Sequence, residues 1–242
     1  MEYDFAIIYF GLTRSVKKTH ETHKKYVFNI LNENKLTYKT FMHTWKTKDD
    51  KQYVWDKIIP QDIDYSEYKL LNPDFYKLDN QQEFLENINM NDYFYNDIWK
   101  KKGHRVNGEW LPQLVTNHLC ALESQKRCFN MVKECVLNGD KFKFIMFIRP
   151  DVLIHNNLPI TSIIQDNSKI HVPNHSHNEG INDQFAIMNY ENAHFYANRI
   201  NEIADFRKTN GRIVSEKYCK FIISKYNMTM NELNFKYKIT RP

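Results

Sequence analysis

The order of apolar and polar residues along the chain predicts alternating strands and helices. Residues 5–10 form a short continuous apolar run that ends at Gly11, as expected for a buried strand. Residues 13–32 place apolar side chains at helical spacing, and "TYKTFMHT" (37–44) predicts a second strand. A strand, a helix and a strand in this order form a crossover unit, so we expect the two strands to be parallel.

The second half of the chain continues this alternation. A long helical pattern covers residues 111–137 and stops before Gly139, a residue suited to the left-handed conformation that ends a helix. The further predicted strands are 142–148, 168–173 and 184–189, and the further predicted helices are 190–206 and 215–226. We therefore expect one α/β domain over residues 1–242, Rossmann-like, with a central and mostly parallel sheet flanked by helices.

Residues 46–110 do not follow the pattern. They combine prolines, many Asn and Asp residues and scattered aromatics, which predicts an insertion of short helices and loops. Loops carry the variable part of recognition, so we expect this insertion and the 174–182 loop to determine which acceptor is bound.

Composition narrows the class of protein. The chain has 242 residues, of which 42% are hydrophobic, enough to bury a sizeable core. The net charge of +5 suits an anionic ligand, but the basic residues are dispersed among acidic and polar ones. Short clusters such as "KTHETHKK" are typical of a solvated face, so a nucleic-acid surface is the less favoured interpretation.

Cysteine spacing and apolar run lengths bear on the compartment. The four cysteines show neither a CxxC pair nor a zinc spacing, which favours buried free thiols in a reducing compartment. No apolar stretch approaches the roughly 20 residues of a membrane span, and the N-terminal run lacks a signal-peptide pattern. We expect a soluble cytoplasmic protein, or one held at a membrane or particle by a partner.

Candidate site residues lie at the ends of the predicted strands, each after a strand except Asn182 and Asp183, which lie in the loop before the strand at 184–189. In order along the chain they are Gly11, Thr13, Arg14, Ser15, His43, Thr44, Trp45, Arg149, Asp151, Asn182 and Asp183. Ligands of open α/β sheets bind outside the carboxyl ends of the strands. Two arginines, two carboxylates, several hydroxyls and an aromatic ring fit a nucleoside diphosphate whose phosphates are neutralised by a metal or an arginine.

Each candidate also has a plainer interpretation. Arg149-Pro150-Asp151 is compatible with a surface β-turn, but strongly apolar flanks place it near the core, where a carboxylate is costly unless paired or metal-bound. Asp183 fits a turn or helix cap, and Trp45 fits core packing as well as stacking on a ligand. Glu123 and Arg127, four residues apart, fit a surface ion pair.

A metal site built from histidines is disfavoured. His171, His175 and His177 lie close in sequence, but no regular element aligns their side chains as zinc ligands. Solvent-facing histidines are the more common outcome for such a stretch.

Four segments together resemble a known family. "YFGLTRS", "FMHTW", "FIRPDVLI" and "GINDQFAIMNYENAHFY" occur in an order that resembles nucleotide-sugar-dependent glycosyltransferases of GT-A type from bacteria and large DNA viruses. The resemblance extends from about residue 3 to 226, includes "NHLCALESQKRCFNMV" and "SEKYCKFII", and is weak over 46–110. It implies a GT-A-like fold and a hexosyl- or deoxyhexosyltransferase in glycan biosynthesis.

The resemblance also implies roles for individual residues. In such enzymes an Asp-x-Asp motif holds a divalent cation on the donor diphosphate, and the corresponding triplet here is Arg149-Pro150-Asp151. Asp151 would ligate Mn²⁺ or Mg²⁺, while Arg149 offers a direct contact to the diphosphate that makes the metal dispensable. Asp183 would be the general base. The donor-binding set is Gly11, Thr13, Arg14, Ser15, Thr44, Trp45 and Arg149.

The expected reaction moves a sugar from a nucleotide sugar, with UDP as the expected nucleotide, to a hydroxyl of a glycan or protein acceptor. Asp183 would accept the hydroxyl proton during an inverting attack, although a retaining course stays open. Two alternatives from other classes stay open at this point. One is a catalytically inactive nucleotide-sugar-binding module, suggested by the arginine at position 149. The other is a basic nucleic-acid-binding protein.

Overall fold

The structure is a computed structural model that describes residues 1–52, 61–93, 105–106, 109–110, 112–210 and 212–241. The strands of these residues are β1 (Glu2–Phe10), β2 (Tyr38–Lys46), β3 (Lys51–Gln52), β4 (Gln61–Asp62), β5 (Phe75–Asn80), β6 (Arg105–Val106), β7 (Glu109–Trp110), β8 (Lys141–Ile148), β9 (Val152–Ile154), β10 (Ile170–Pro173), β11 (Phe185–Met188), β12 (Met230–Leu233) and β13 (Tyr237–Ile239).

Helices of several lengths connect these strands. The α-helices are α1 (Val16–His23), α2 (Asn29–Glu33), α3 (Gln81–Glu86), α4 (Pro112–Leu137), α5 (Ile160–Ile164), α6 (Tyr190–Ala197), α7 (Ile203–Asn210) and α8 (Ser215–Lys225). A π-helical segment, Lys24–Phe28, joins α1 to α2. Short 3₁₀ segments lie at Lys48–Asp50, Tyr65–Leu70, Met90–Asp92 and Arg199–Glu202.

Seven strands form the central sheet in the order β12-β10-β11-β8-β1-β2-β5. β1 pairs in parallel with β2 and with β8, β2 with β5, and β10 with β12. β11 runs antiparallel to both of its neighbours, β8 and β10. The predicted α/β class with a mostly parallel sheet is therefore confirmed.

The sheet carries a core on each face, which explains its continuous apolar runs. Ile7 of β1 packs in one cluster with Val16 of α1 and Val27 of the π-helical segment. The next residue, Ile8, packs in a second cluster with Phe129 of α4. Successive strand residues point to opposite faces, so a strand covered on both sides needs apolar residues at every position.

The cysteines confirm the expectation of buried free thiols. All four are buried and none forms a disulfide: Cys120, Cys128, Cys135 and Cys219. Three lie on α4, and burial raises the pKa of the Cys120 thiol to about 12. A thiol held protonated in this way behaves as a small apolar side chain.

Two segments differ from the predicted elements. The first helix begins at Val16 and not at residue 13, because Ser15 adopts a left-handed conformation with φ of 64°. The predicted helix 190–206 is broken. α6 ends at Ala197, a 3₁₀ segment follows, and α7 resumes at Ile203. This break determines where Arg199 points.

Two strands of the central sheet were not predicted. β5 lies inside the 46–110 insertion and pairs with β2 at the sheet edge. β12 forms the opposite edge. Both are only partly buried, so neither shows the continuous apolar run of a central strand. The remainder of the insertion lies in part outside the described residues.

A helix that crosses a bilayer needs about 20 mostly apolar residues. None within the described ranges is both long and apolar enough to cross a membrane.

Candidate functional site

Two neighbouring cavities open at the edge of the sheet where β1, β2 and β8 end. The larger has a volume of about 400 Å³ and the smaller of about 250 Å³. Residues that line both are Phe10, Arg14, Asn117, Ala121 and Arg149. The carboxyl ends of parallel strands meet at this edge, so the position agrees with the rule for ligand sites of open sheets.

The two cavities have different walls. The larger is closed by α4, the loop before β11, the start of α8 and the segment after β13. Its other lining residues are Leu114, His118, Leu122, Gln125, Asn178, Asp183, Gln184, Arg199, Ser215, Glu216, Ile239 and Arg241. The smaller is closed by the loop after β1, the end of β2 and α3. Its other lining residues are Gly11, Leu12, Trp45, Thr47, Lys48, Gln81, Leu85, Gln113, Thr116, Cys120 and Asp151.

A buried charge cluster lies where the cavities meet. The Asp151 side chain is 2% exposed. Arg149 donates from Nε to its Oδ1 at 2.8 Å and from Nη2 to its Oδ2 at 2.6 Å, and Arg14 donates from Nε to Oδ2 at 3.0 Å. Burial alone would raise the pKa of Asp151, but Arg149 and Arg14 outweigh it and lower the pKa to about 2. Two guanidinium groups around one carboxylate leave the cluster with a net positive charge.

The turn that carries Asp151 is fixed from several sides. Thr19 of α1 donates from Oγ1 to the Pro150 carbonyl at 2.7 Å. The Thr240 amide donates to the Asp151 carbonyl at 2.8 Å, and the Arg149 amide donates to the Gln184 carbonyl at 3.2 Å. The turn interpretation of Arg149-Pro150-Asp151 is correct, but the turn is buried and not on the surface.

The donor set around Asp151 does not fit a divalent cation. Both of its carboxylate oxygens accept hydrogen bonds from arginine, and two guanidinium charges lie within hydrogen-bond distance. Within the described ranges, no group of three His, Cys, Asp or Glu side chains is arranged to hold a metal. The metal-ligand role of Asp151 stays a prediction, and no step below passes through a metal.

Asp183 lies in the larger cavity, with 17% of its side chain exposed. Burial raises its pKa, and the charges of Arg199 and Arg149 oppose the rise. His118 Nδ1 lies 3.9 Å from Asp183 Oδ2. Burial, with Arg199 adding to it, lowers the pKa of His118 to about 3, so the imidazole is neutral at pH 7. A carboxylate with a raised pKa in a cavity is suited to accept a proton.

A hydrogen-bonded network supports the wall of the smaller cavity. The Gly11 amide donates to Ser124 Oγ at 2.8 Å, with Gly11 at φ +95°. Ser124 Oγ lies 2.9 Å from His43 Nδ1, and His43 Nε2 lies 3.2 Å from Asp79 Oδ2. Burial lowers the pKa of His43 to about 4, so it is neutral. The carboxylate of Asp79 can only accept, so Nε2 carries the hydrogen and Nδ1 accepts from Ser124.

Trp45 is a wall residue of the smaller cavity and is only 1% exposed. Phe84 stacks on its ring at 5.2 Å, the Arg127 guanidinium lies 4.8 Å from it, and Nε1 donates to the Cys120 carbonyl at 2.9 Å. The packing interpretation therefore describes its present contacts. Arg127 also pairs with Glu123, as predicted, and reaches Asp79 at 2.5 Å.

The other predicted donor-binding residues are distributed unevenly. Gly11, Arg14 and Arg149 line the smaller cavity. Thr13 and Thr44 are fully buried and line neither cavity. Ser15 lines a separate depression with Lys17, Lys18 and Glu67. Their donor-binding roles stay predictions.

The three histidines near residue 175 are not brought together as a ligand set. His171 is buried and bonds to the Asp166 carbonyl and to Asn231. His175 bonds to the Phe235 carbonyl, and His177 accepts from the Asn182 amide. Separate structural hydrogen bonds account for each ring.

Several polar residues of the larger cavity were not predicted. They are His118, Gln125, Arg199, Glu216 and Arg241. His118 and Gln125 lie on the buried face of α4, where a polar residue among apolar ones was the available signal. Arg199 faces the cavity only because the helix breaks there, and its carbonyl accepts from the Tyr218 hydroxyl. Sequence spacing contains no sign of that contact.

Comparisons with known proteins add solved structures only. No family model matches the chain, and no curated protein matches its sequence. The structure of mouse xyloside xylosyltransferase 1 superposes with a TM-score of 0.41 at 9% identity, over 96% of this chain and 85% of that chain. The galactosyltransferase LgtC, solved with donor and acceptor sugar analogues, gives 0.40 at 8% identity, over 93% and 72%. At such scores the activities remain those of the neighbours, and this chain's own site carries the functional conclusion.

Proposed function

We propose that this protein is a glycosyltransferase that moves a sugar from a nucleoside diphosphate sugar to an acceptor hydroxyl. The observation that carries the proposal is the pair Arg14 and Arg149, which lines both cavities at their junction. A diphosphate at the junction would face two guanidinium groups, with the nucleoside in the smaller cavity and the sugar in the larger one. Guanidinium groups match phosphate oxygens in geometry and charge.

Asp151 orients this pair and does not neutralise it. Arg149 donates two of its five N–H groups to Asp151, so the other N–H groups can donate to a ligand. Preorganised donors stabilise negative charge that develops in a transition state, and removing one such donor from a protease oxyanion hole costs about 2.7–4 kcal/mol. The two arginines thus supply the charge that the expected cation would otherwise bring.

The transfer itself exchanges one bond for another. The oxygen of an acceptor hydroxyl bonds to the anomeric carbon of the sugar, and the bond from that carbon to the diphosphate oxygen breaks. The diphosphate leaves with the electron pair, and the hydroxyl proton passes to Asp183. Asp183 lines the larger cavity and burial raises its pKa, which supports its role as the base of an inverting transfer.

The first test measures release of free nucleotide from a panel of UDP-, GDP- and dTDP-hexoses and deoxyhexoses, with a UDP-sugar as the expected donor. We expect Asp183→Ala to lower turnover about 10²–10⁴-fold and to leave donor binding nearly intact. Asp151→Ala should weaken donor binding, because both arginines lose their orienting partner. Asp205→Ala, on the exposed surface of α7, is the control.

Each alternative has its own outcome. Donor binding without nucleotide release from any donor and acceptor would indicate an inactive binding module. No binding of a nucleoside diphosphate, together with tight salt-sensitive binding of DNA or RNA, would indicate a nucleic-acid-binding protein. Wild-type turnover in Asp183→Ala would show that the base is wrongly assigned. A calorimetric titration with and without Mn²⁺ decides the metal prediction.

A further inference from the structure

The larger cavity contains a buried arginine whose hydrogen bonds are incomplete. Arg199 is 1% exposed and lies over the Tyr196 ring, with Cζ 3.8 Å from the ring centroid. Its guanidinium donates from Nη1 to Cys219 Sγ at 3.5 Å, and it also interacts with the Tyr196 side chain and with the charge of Asp183. Its Nε is buried and has no hydrogen-bond partner among the described residues, and none of their carboxylates forms an ion pair with it. A buried cation usually needs such a carboxylate.

Arg149 shows what the open edge of Arg199 is suited to bind. Arg149 donates to the two oxygens of Asp151 from Nε and Nη2, whose N–H bonds point in the same direction within the guanidinium plane. In Arg199 the bond to Cys219 uses Nη1, so the Nε–Nη2 edge is the one left over. This edge matches a planar carboxylate with two parallel hydrogen bonds.

A second buried group in the same cavity also has no partner. Gln125 is 1% exposed and lines the cavity, and its side-chain oxygen accepts no hydrogen bond from the part of the chain that the structure describes. The ligand should therefore offer a hydroxyl or amide N–H as well as an anion. Asn178 and Glu216 line the same wall and bond to each other at 2.8 Å, which adds polar groups of the kind that bind sugar hydroxyls.

We propose that the larger cavity takes a sugar that carries a carboxylate, as in a hexuronic acid, with the carboxylate on the Nε–Nη2 edge of Arg199 and a hydroxyl donating to Gln125. The proposal names the substrate class of the larger cavity and rests on the proposed function for its place in a transfer reaction. It assigns Arg199 and Gln125 as residues that distinguish acidic from neutral sugars.

The test compares binding of D-glucuronate and D-glucose by NMR titration, with and without UDP, at one ionic strength. We expect the protein to bind glucuronate about tenfold more tightly than glucose or better, because a charge-assisted bidentate contact is worth that much. Arg199→Met should abolish the preference. Gln125→Glu keeps the shape of the side chain but adds a negative charge, so it should weaken the binding of glucuronate more than the binding of glucose. Lys141→Met, distant from the cavity, should leave the preference unchanged.

Equal affinity for the two sugars in the wild-type protein would overturn the proposal, as would an unchanged preference in both cavity variants. Tighter binding of glucose 6-phosphate than of glucose, without tighter binding of glucuronate than of glucose, would also overturn it. Nucleoside diphosphate binding, measured in the same samples, separates the two proposals. If the protein binds the nucleotide but does not prefer glucuronate, only the proposal of an acidic sugar is rejected. If it prefers glucuronate but does not bind the nucleotide, only the proposed glycosyltransferase function is rejected.

Discussion

Two buried arginine sites face the same cavity and differ in what the fold provides for them. Arg149, with Arg14 beside it, surrounds Asp151, and the carboxylate accepts from both. Arg199 has an aromatic ring and a thiol as neighbours, and no carboxylate of the described residues lies within hydrogen-bond distance of it. We infer that the first site supports the fold and orients its arginines, whereas the second holds binding capacity for a ligand.

Removing the carboxylate of the satisfied site should have the largest effect on stability. Asp151→Asn keeps the shape of the side chain but leaves two buried guanidinium groups without a counter-charge. We expect the free energy of unfolding to fall by about 3–5 kcal/mol, measured by urea denaturation. Asp205→Asn, in an exposed ion pair with Lys208, should change it by less than about 1 kcal/mol. Equal effects would mean that the Asp151 charge does not support the fold.

Acid should remove the same contribution in the wild-type protein. The pKa of Asp151 is about 2 in the fold, below the value of about 3.9 for an unfolded aspartate. Its stabilisation is therefore complete above about pH 4 and is lost as the pH falls toward 2, a loss of about 2–3 kcal/mol. The gap between wild type and Asp151→Asn should narrow over this range in urea titrations. The buried histidines titrate in both proteins and cancel. A constant gap would contradict the pairing.

The unsatisfied site should respond in the opposite direction. Arg199→Met replaces a buried cation by an apolar side chain that still contacts Tyr196, so the free energy of unfolding should stay the same or rise by about 1–2 kcal/mol. Arg127→Met is the matched comparison. Arg127 forms ion pairs with Glu123 and Asp79, so its replacement should lower the free energy of unfolding. If Arg199→Met destabilises as much as Arg127→Met, Arg199 is a structural residue.

The smallest effect concerns the wall of the other cavity. Ser124→Ala removes the acceptor of the Gly11 amide and a partner of His43, and should cost about 1–2 kcal/mol. Because Gly11 lines the smaller cavity, the dissociation constant for a nucleoside diphosphate should also rise several-fold in calorimetry. Ser162→Ala serves as the control, because the exposed Ser162 hydroxyl accepts a long bond of 3.3 Å from Asn231 Nδ2.

The central sheet could be predicted because burial on both faces leaves a signal in the sequence. β1 and β8 appear as continuous apolar runs, and the helices between them place apolar residues at helical spacing. β5 could not be predicted, since an edge strand with half-exposed side chains resembles a loop. Its place in the sheet depends on pairing with β2, a contact between segments far apart in sequence.

The same distinction holds for the site. Arg14, Arg149 and Asp151 follow parallel strands, so topology alone places them at one edge. Asp183 precedes β11 and reaches the same edge because β11 runs antiparallel to β8, an orientation that the sequence did not predict. Arg199 lies within a segment whose sequence predicts a continuous helix. In the structure the helix is interrupted there, and the Arg199 carbonyl accepts a hydrogen bond from the Tyr218 hydroxyl. Residues placed by local patterns were predicted, and those placed by tertiary contacts were not.

The hydrogen bond from the Thr240 amide to the Asp151 carbonyl has a consequence for synthesis of the protein. β13 pairs with β9, next to the charge cluster, and β12 completes the sheet edge. A nascent chain still held by the ribosome at residues 230–240 therefore has its arginines but not the strand that closes over them. We expect ligand binding to appear only after these residues have emerged and β13 has paired with β9, because the charge cluster is closed only then.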